Sequence, residues 1–90
     1  MIYTNVSNDI HKSIIEELKQ AIDATPVLII RMSDHPDDDY LYLYIAKQSN
    51  GYVAGLANTS GRKVSLYENY YGCTLKRAME ITSEKIKYCF

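Results

Sequence analysis

The sequence predicts an α+β fold, a two-layer sandwich. A four-stranded antiparallel sheet carries two helices on one face, in the order α-β-β-β-β-α. Three observations predict it. Apolar residues recur at helical spacing near each end of the chain. Apolar and aromatic residues alternate strictly through Tyr40–Gln48. Turn-forming residues at Asn50-Gly51 and Asn58–Gly61 separate the strand-like runs.

Residues 1–6 read as a short strand or a loose arm. Ser7 or Asn8 suits a helix N-cap, and Asp9 suits the positive end of the helix dipole. Ile10, Ile14, Ile15, Leu18 and Ile22 then form one apolar stripe, with Lys12, Glu16, Lys19 and Asp23 around it. Pro26 disfavours helical geometry at Thr25, so the helix ends by Ala24. Val27–Met32 is short, apolar and β-branched, the pattern of a central strand. Ser33–Asp39 is a polar loop punctuated by Pro36.

Asn-Gly between two strand-like runs signals a tight hairpin. A two-residue turn at Asn50-Gly51 sets Ser49 opposite Tyr52, Ala46 opposite Gly55, Ile45 opposite Leu56 and Tyr44 opposite Ala57. Leu41, Leu43, Ile45, Ala54 and Leu56 then share the face assigned to the helices. Tyr40, Tyr42, Tyr44, Val53, Gly55 and Ala57 share the face left open, an aromatic ridge beside a shallow trough. Lys63–Tyr67 forms the next strand, with Val64 and Leu66 on one face, and Glu68–Cys73 forms a connection. Thr74 caps a second helix. Its buried stripe is Leu75, Ala78, Met79, Thr82, Ile86 and Cys89, and Lys76, Arg77, Glu80, Glu84 and Lys87 face outward.

Ninety residues make one domain. A net charge of −1 provides no global field for nucleic acid or an anionic membrane. Cys73 and Cys89, with no C-x-x-C spacing, form neither a disulfide framework nor a zinc site and read as reduced thiols. No secretory leader is visible, and the longest apolar run, Val27–Ile30, is too short to span a bilayer. The expected location is the cytoplasm, and no cofactor is expected.

Nine tyrosines stand against one phenylalanine, a bias toward aromatic surface that meets both oil and water. Tyr40, Tyr42 and Tyr44 are therefore candidate partner-binding residues. Asp37, Asp38 and Asp39 add a negative patch for a basic partner. Cross-strand tyrosines also stabilise an exposed sheet without binding anything, and the same face can close a homodimer. The Asp34–Asp39 loop, with His35, has the donor chemistry for Mg²⁺ or Mn²⁺ but lacks EF-hand spacing. His11 and His35 are far apart in sequence, and nothing there brings them together. Cys73 sits just ahead of a helix, where thiol pKa values fall, without a second feature to make it a nucleophile. Ser60-Gly61 and Tyr71-Gly72 match no phosphate-binding loop. No catalytic residues are assigned.

Glu68–Leu75 (ENYYGCTL) locally resembles the tyrosine-glycine lead-in to a helix in barstar-type ribonuclease inhibitors. That family has a parallel sheet, which the antiparallel order expected here does not match.

The leading expectation is a small non-enzymatic protein-binding module that occludes its partner. In size and style it is similar to phage- or plasmid-encoded inhibitors such as anti-CRISPR or immunity proteins. One alternative is an RNA- or single-strand-binding module, using the same tyrosines with Arg62, Lys63, Lys76 and Arg77. The other is a divalent-metal-dependent enzyme centred on Asp34–Asp39.

Overall fold

Alternation in the chain becomes a central hairpin with a helix bound to each of its faces. The computed structural model describes the backbone of residues 2–4, 8–34, 40–60 and 63–89, and the side chains within 12–31, 41–59 and 63–87. The elements are β1 (Ile2–Thr4), α1 (Asn8–Ile22), β2 (Thr25–Asp34), β3 (Tyr40–Gln48), β4 (Gly51–Ser60), β5 (Lys63–Cys73) and α2 (Leu75–Cys89). The strands form one five-stranded sheet in the order β1-β2-β3-β4-β5. β2 to β5 pair antiparallel, as expected. β1 adds a parallel strand beside β2, with Ile2 opposite Leu28. Parallel neighbours require a crossover connection, and α1 supplies it.

The α+β class, the antiparallel run of four strands and the two helices agree with the sequence. The layering differs. Ile14 and Leu18 of α1 pack with Ile29, Tyr42, Tyr44, Val53 and Ala57. Ala78 and Ile81 of α2 pack with Ile45 and Ala54, and Ile86 packs beside Leu43 and Leu56. Even and odd positions of β3 thus serve different helices. Successive strand side chains point to opposite faces, so the helices cover opposite faces and the sheet is the middle of three layers. The expected placement of both helices on one face is corrected accordingly. The cause is that both faces of the hairpin are apolar: a face of Tyr, Val, Gly and Ala needs cover as much as one of Leu and Ile does.

The hairpin register also differs from expectation. Gln48 pairs with Gly51, Ile45 with Ala54, Tyr44 with Gly55 and Tyr42 with Ala57. Ser49-Asn50 is the turn, two positions' worth of pairing away from an Asn50-Gly51 turn. The positive φ falls on Gly51, at 146°. A shift of two keeps every side chain on its face. The two face memberships read from sequence therefore survive with different partners.

β2 is longer than expected and takes in Pro26, which pairs with Ala46 at the strand's start. It slips by one residue at Val27 and again at Met32. Val27 and Leu28 both face the α2 cluster as a result. Before it, α1 stops where Asp23 adopts a left-handed φ of 49°. The Asp23 N–H donates to the Lys19 carbonyl at 3.2 Å, and the Ala24 N–H donates to the Leu18 carbonyl at 3.1 Å. The Gln48 side-chain amide donates to the Ile22 carbonyl at 2.6 Å, satisfying another helix-end acceptor. At the other helix, the Arg77 N–H donates to Thr74 Oγ1 at 3.1 Å, the cap expected from sequence.

Tyr44 lies across Gly55, its pairing partner, and is fully buried. Its hydroxyl donates to Asn69 Oδ1. A Cβ on Gly55 would collide with that Asn69 oxygen and sit 2.8 Å from the Tyr44 hydroxyl. Gly55→Ala is therefore expected to cost about 1–3 kcal/mol, the usual penalty of overpacking, read from the urea midpoint. An unchanged midpoint would show that the space is larger than described.

Burial holds the Tyr44 phenol above the ordinary tyrosine range, with the neighbouring Tyr71 adding to the effect. A raised folded-state pKa means that the folded chain keeps a proton that the unfolded chain gives up. This stability is complete below the unfolded value of about 10 and is lost as pH rises past it. Tyr44→Phe should cost about 1 kcal/mol near neutrality through the lost hydrogen bond. It should also flatten the alkaline decline of the urea midpoint. Parallel declines in the two proteins would locate the alkaline sensitivity elsewhere.

Candidate interaction surface

Tyr42 and Tyr44 of β3 do not make an open surface. Tyr42 and Tyr44 are both 0% exposed, beneath α1. Tyr40 pairs with Thr59 through its backbone, and its side chain lies outside the described residues. The ridge and trough expected from sequence are real in outline but enclosed: the Tyr44 ring occupies the space over Gly55. Asp37, Asp38 and Asp39, with His35, fall outside the described residues. So do Arg62 and the side chains of Asp34, His11 and Cys89. Among the described residues no group of three or more His, Cys, Asp or Glu side chains could hold a metal ion. No helix there is long and apolar enough to cross a membrane.

The basic residues proposed for nucleic acid do not gather. Lys63 begins β5 and pairs with Ser60, whereas Lys76 and Arg77 lie just past the strand's far end at Cys73. At about 3.3 Å per residue, roughly 30 Å of strand separates them. Arg77 is engaged locally, 3.2 Å from Glu80. The aromatic sheet face that bases would stack on is covered by α1.

The exposed aromatic surface is on β5, which continues through residues expected to be a connection. Leu56 pairs with Tyr67, Ala54 with Tyr70 and Tyr52 with Cys73. Three residues of β5 twice stand against two of β4, so the strand holds two bulges. Each contains a left-handed residue, Glu68 at φ 53° and Gly72 at φ 67°. The bulges change which side chains share a face. Val64 and Leu66 join the α1 cluster in ordinary alternation. Past Glu68, Asn69 turns to that same side and reaches Tyr44, and its amide donates to the Tyr71 hydroxyl at 3.2 Å. Tyr70 turns to the other side, where Lys85 Nζ lies 5.3 Å from its ring centre. Lys85 also pairs with Glu68 at 2.9 Å. A cleft of about 180 Å³ lies between Tyr70, Arg77, Ile81, Glu84 and Lys85.

Cys73 ends β5, half-buried against the α2 cluster, with its thiol directed at the Tyr70 carbonyl 3.4 Å away. Its place is at the sheet edge, packed beside the helix it precedes.

α2 keeps Ala78, Thr82 and Ile86 of the expected stripe but buries Ile81 in place of Leu75 and Met79. Ala78, Ile81 and Thr82 are buried, and the Thr82 hydroxyl donates to the Ala78 carbonyl at 2.9 Å. Leu75 and Met79 are exposed, Met79 by 56%. They face out among Lys76, Glu80, Ser83, Glu84 and Lys87. Ala78, common to the expected and observed stripes, packs directly on the sheet beside Ile45 and Ala54. Tyr67, Tyr70, Tyr71, Leu75 and Met79 are thus the exposed large apolar side chains of the described residues, and all fall between 67 and 79. Sequence reading missed this cluster. The available signal was Gly72 inside a tyrosine-rich run, which fits a bulged edge strand as well as a loop.

The helix phase is checked by two substitutions. Met79→Ser should leave stability within about 0.5 kcal/mol, as exposed sites do. Ile81→Ala should cost about 2–4 kcal/mol, as buried sites do. Equal losses in thermal unfolding would rotate α2 back to the stripe expected from sequence.

No family model, no curated protein and no solved structure matches the chain.

Proposed function

We propose that this protein is a small non-enzymatic binding module that acts in the cytoplasm by covering a surface of another protein. Its contact surface is the β5 edge from Tyr67 together with the outer side of the first turns of α2. One observation carries the reading: the exposed large apolar side chains of the described residues are concentrated between Tyr67 and Met79. Tyrosine and methionine are enriched in protein interfaces, and a local apolar concentration on a small domain marks a contact site. Lys76, Glu80 and Glu84 surround the apolar members with charge, as the polar rim of an interface does. Such a module would work as an inhibitor of the phage- or plasmid-encoded kind, by occlusion alone.

A photo-crosslinking side chain placed at Tyr71 should capture one protein in the cell that makes this chain. The same side chain at Lys19, on the outer side of α1, should capture none. The double variant Tyr70→Ser, Met79→Ser should weaken the capture made from position 71. Equal capture from positions 71 and 19 would remove the assignment of the surface. A crosslink to RNA that fades steeply as salt rises would replace the protein partner with a nucleic acid.

A further inference from the structure

β5 is the last strand of the sheet, with no described strand along its outer side. Its two halves differ. From Tyr67 onward the bulges at Glu68 and Gly72 break the run of edge hydrogen-bonding groups, which discourages further strand pairing. From Lys63 to Tyr67 the strand is regular: Ser60, Thr59, Asn58, Ala57 and Leu56 oppose successive residues without a slip. No described strand pairs with this half of the edge. Val64 and Leu66 on it are only half-buried at the rim of the α1 cluster, while Lys63, Ser65 and Tyr67 are exposed on the other face.

We infer that Lys63–Tyr67 pairs antiparallel with the same segment of a second copy of this chain, about a two-fold axis at Ser65. The two sheets become one continuous sheet of ten strands. The occupant follows from self-complementarity. Centred on Ser65, the register sets Val64 against Leu66 of the second copy, an apolar pair that completes the burial both side chains lack. It sets Lys63 against Tyr67 of the second copy, a cation beside an aromatic ring. Both contacts occur twice, as two-fold symmetry requires. A register centred on Leu66 would instead place Val64 opposite Glu68, at the bulge. Centred on Ser65, the regular segment Lys63–Tyr67 pairs with itself over its whole length. The pairing meets the tyrosine and α2 surface only at Tyr67, and Ser65 lies outside that surface, so variants at Ser65 test the pairing apart from the proposed partner contact.

The experiment is mass in solution by light scattering over a concentration series, for wild type, Ser65→Lys and Ser65→Val. Wild type should dimerise. Ser65→Lys puts like charges directly across the axis and should raise the dimer dissociation constant by at least about fivefold. Ser65→Val should lower it, because a β-branched pair replaces two serines at the axis. Ser65 is exposed, so both variants should melt as wild type does when monomeric. A wild-type monomer at every concentration overturns the inference. So does a dimer whose dissociation constant is unchanged in both variants.

Discussion

The hydroxyl of Tyr44 sets the terms for much of this fold. A phenol buried beneath a helix must find a hydrogen-bond partner, because an unsatisfied polar group in the interior is costly. Asn69 is that partner. In a regular β5, continuing the alternation of Val64 and Leu66, Asn69 would face α2. The extra residue at Glu68 turns it toward α1. The same turn sends Tyr70 to the α2 side, under Lys85. Gly55 completes the arrangement, since only a residue without a side chain leaves room where the ring and the amide meet. A buried polar atom on one strand thus accounts for the irregularity of a strand two places away.

Much of this was legible in the residues, and the limits have physical causes. Strand alternation has a period of two, so the hairpin faces were readable although the turn sits at Ser49-Asn50. The destination of those faces was harder to read. Tyrosine is apolar over most of its surface and polar at its tip, and it serves equally in a core and at an interface. Alternation alone cannot say which. The deciding fact is the sheet's second apolar face, which claims the second amphipathic helix. β5 was truncated in the reading because its bulges hide its period. Glu68 offers no hint of a left-handed backbone, whereas Gly72 does.

The stripe of α2 was legible at Ala78, Thr82 and Ile86 but not at Leu75 and Met79. Leu75 and Met79 pull an apolar stripe one way and Ile81 pulls it the other. Ala78 is common to both stripes and lets the helix settle against Ile45 and Ala54, with Ile81 as its buried neighbour. Leu75 and Met79 were left outside, among Lys76, Glu80 and Glu84. The exposed surface is thus partly a by-product of close packing on the inner side. The candidate site could not be read from hydrophobicity alone, because it consists of apolar residues that the core could not accommodate in this geometry.

The bulges of β5 also make chain length a determinant of polarity. In an unbroken strand, loss of one residue moves everything downstream to the opposite face, and loss of two moves it back. β5 already contains one such step at Glu68 and a second before Cys73. Deleting Glu68 alone would remove the extra residue and leave plain alternation, with Asn69 still toward α1 and Tyr70 still toward α2, so the bulge absorbs a change of one residue. In a lineage of such chains, loss of one residue should therefore be tolerated better at Glu68 than within the regular run Lys63–Tyr67.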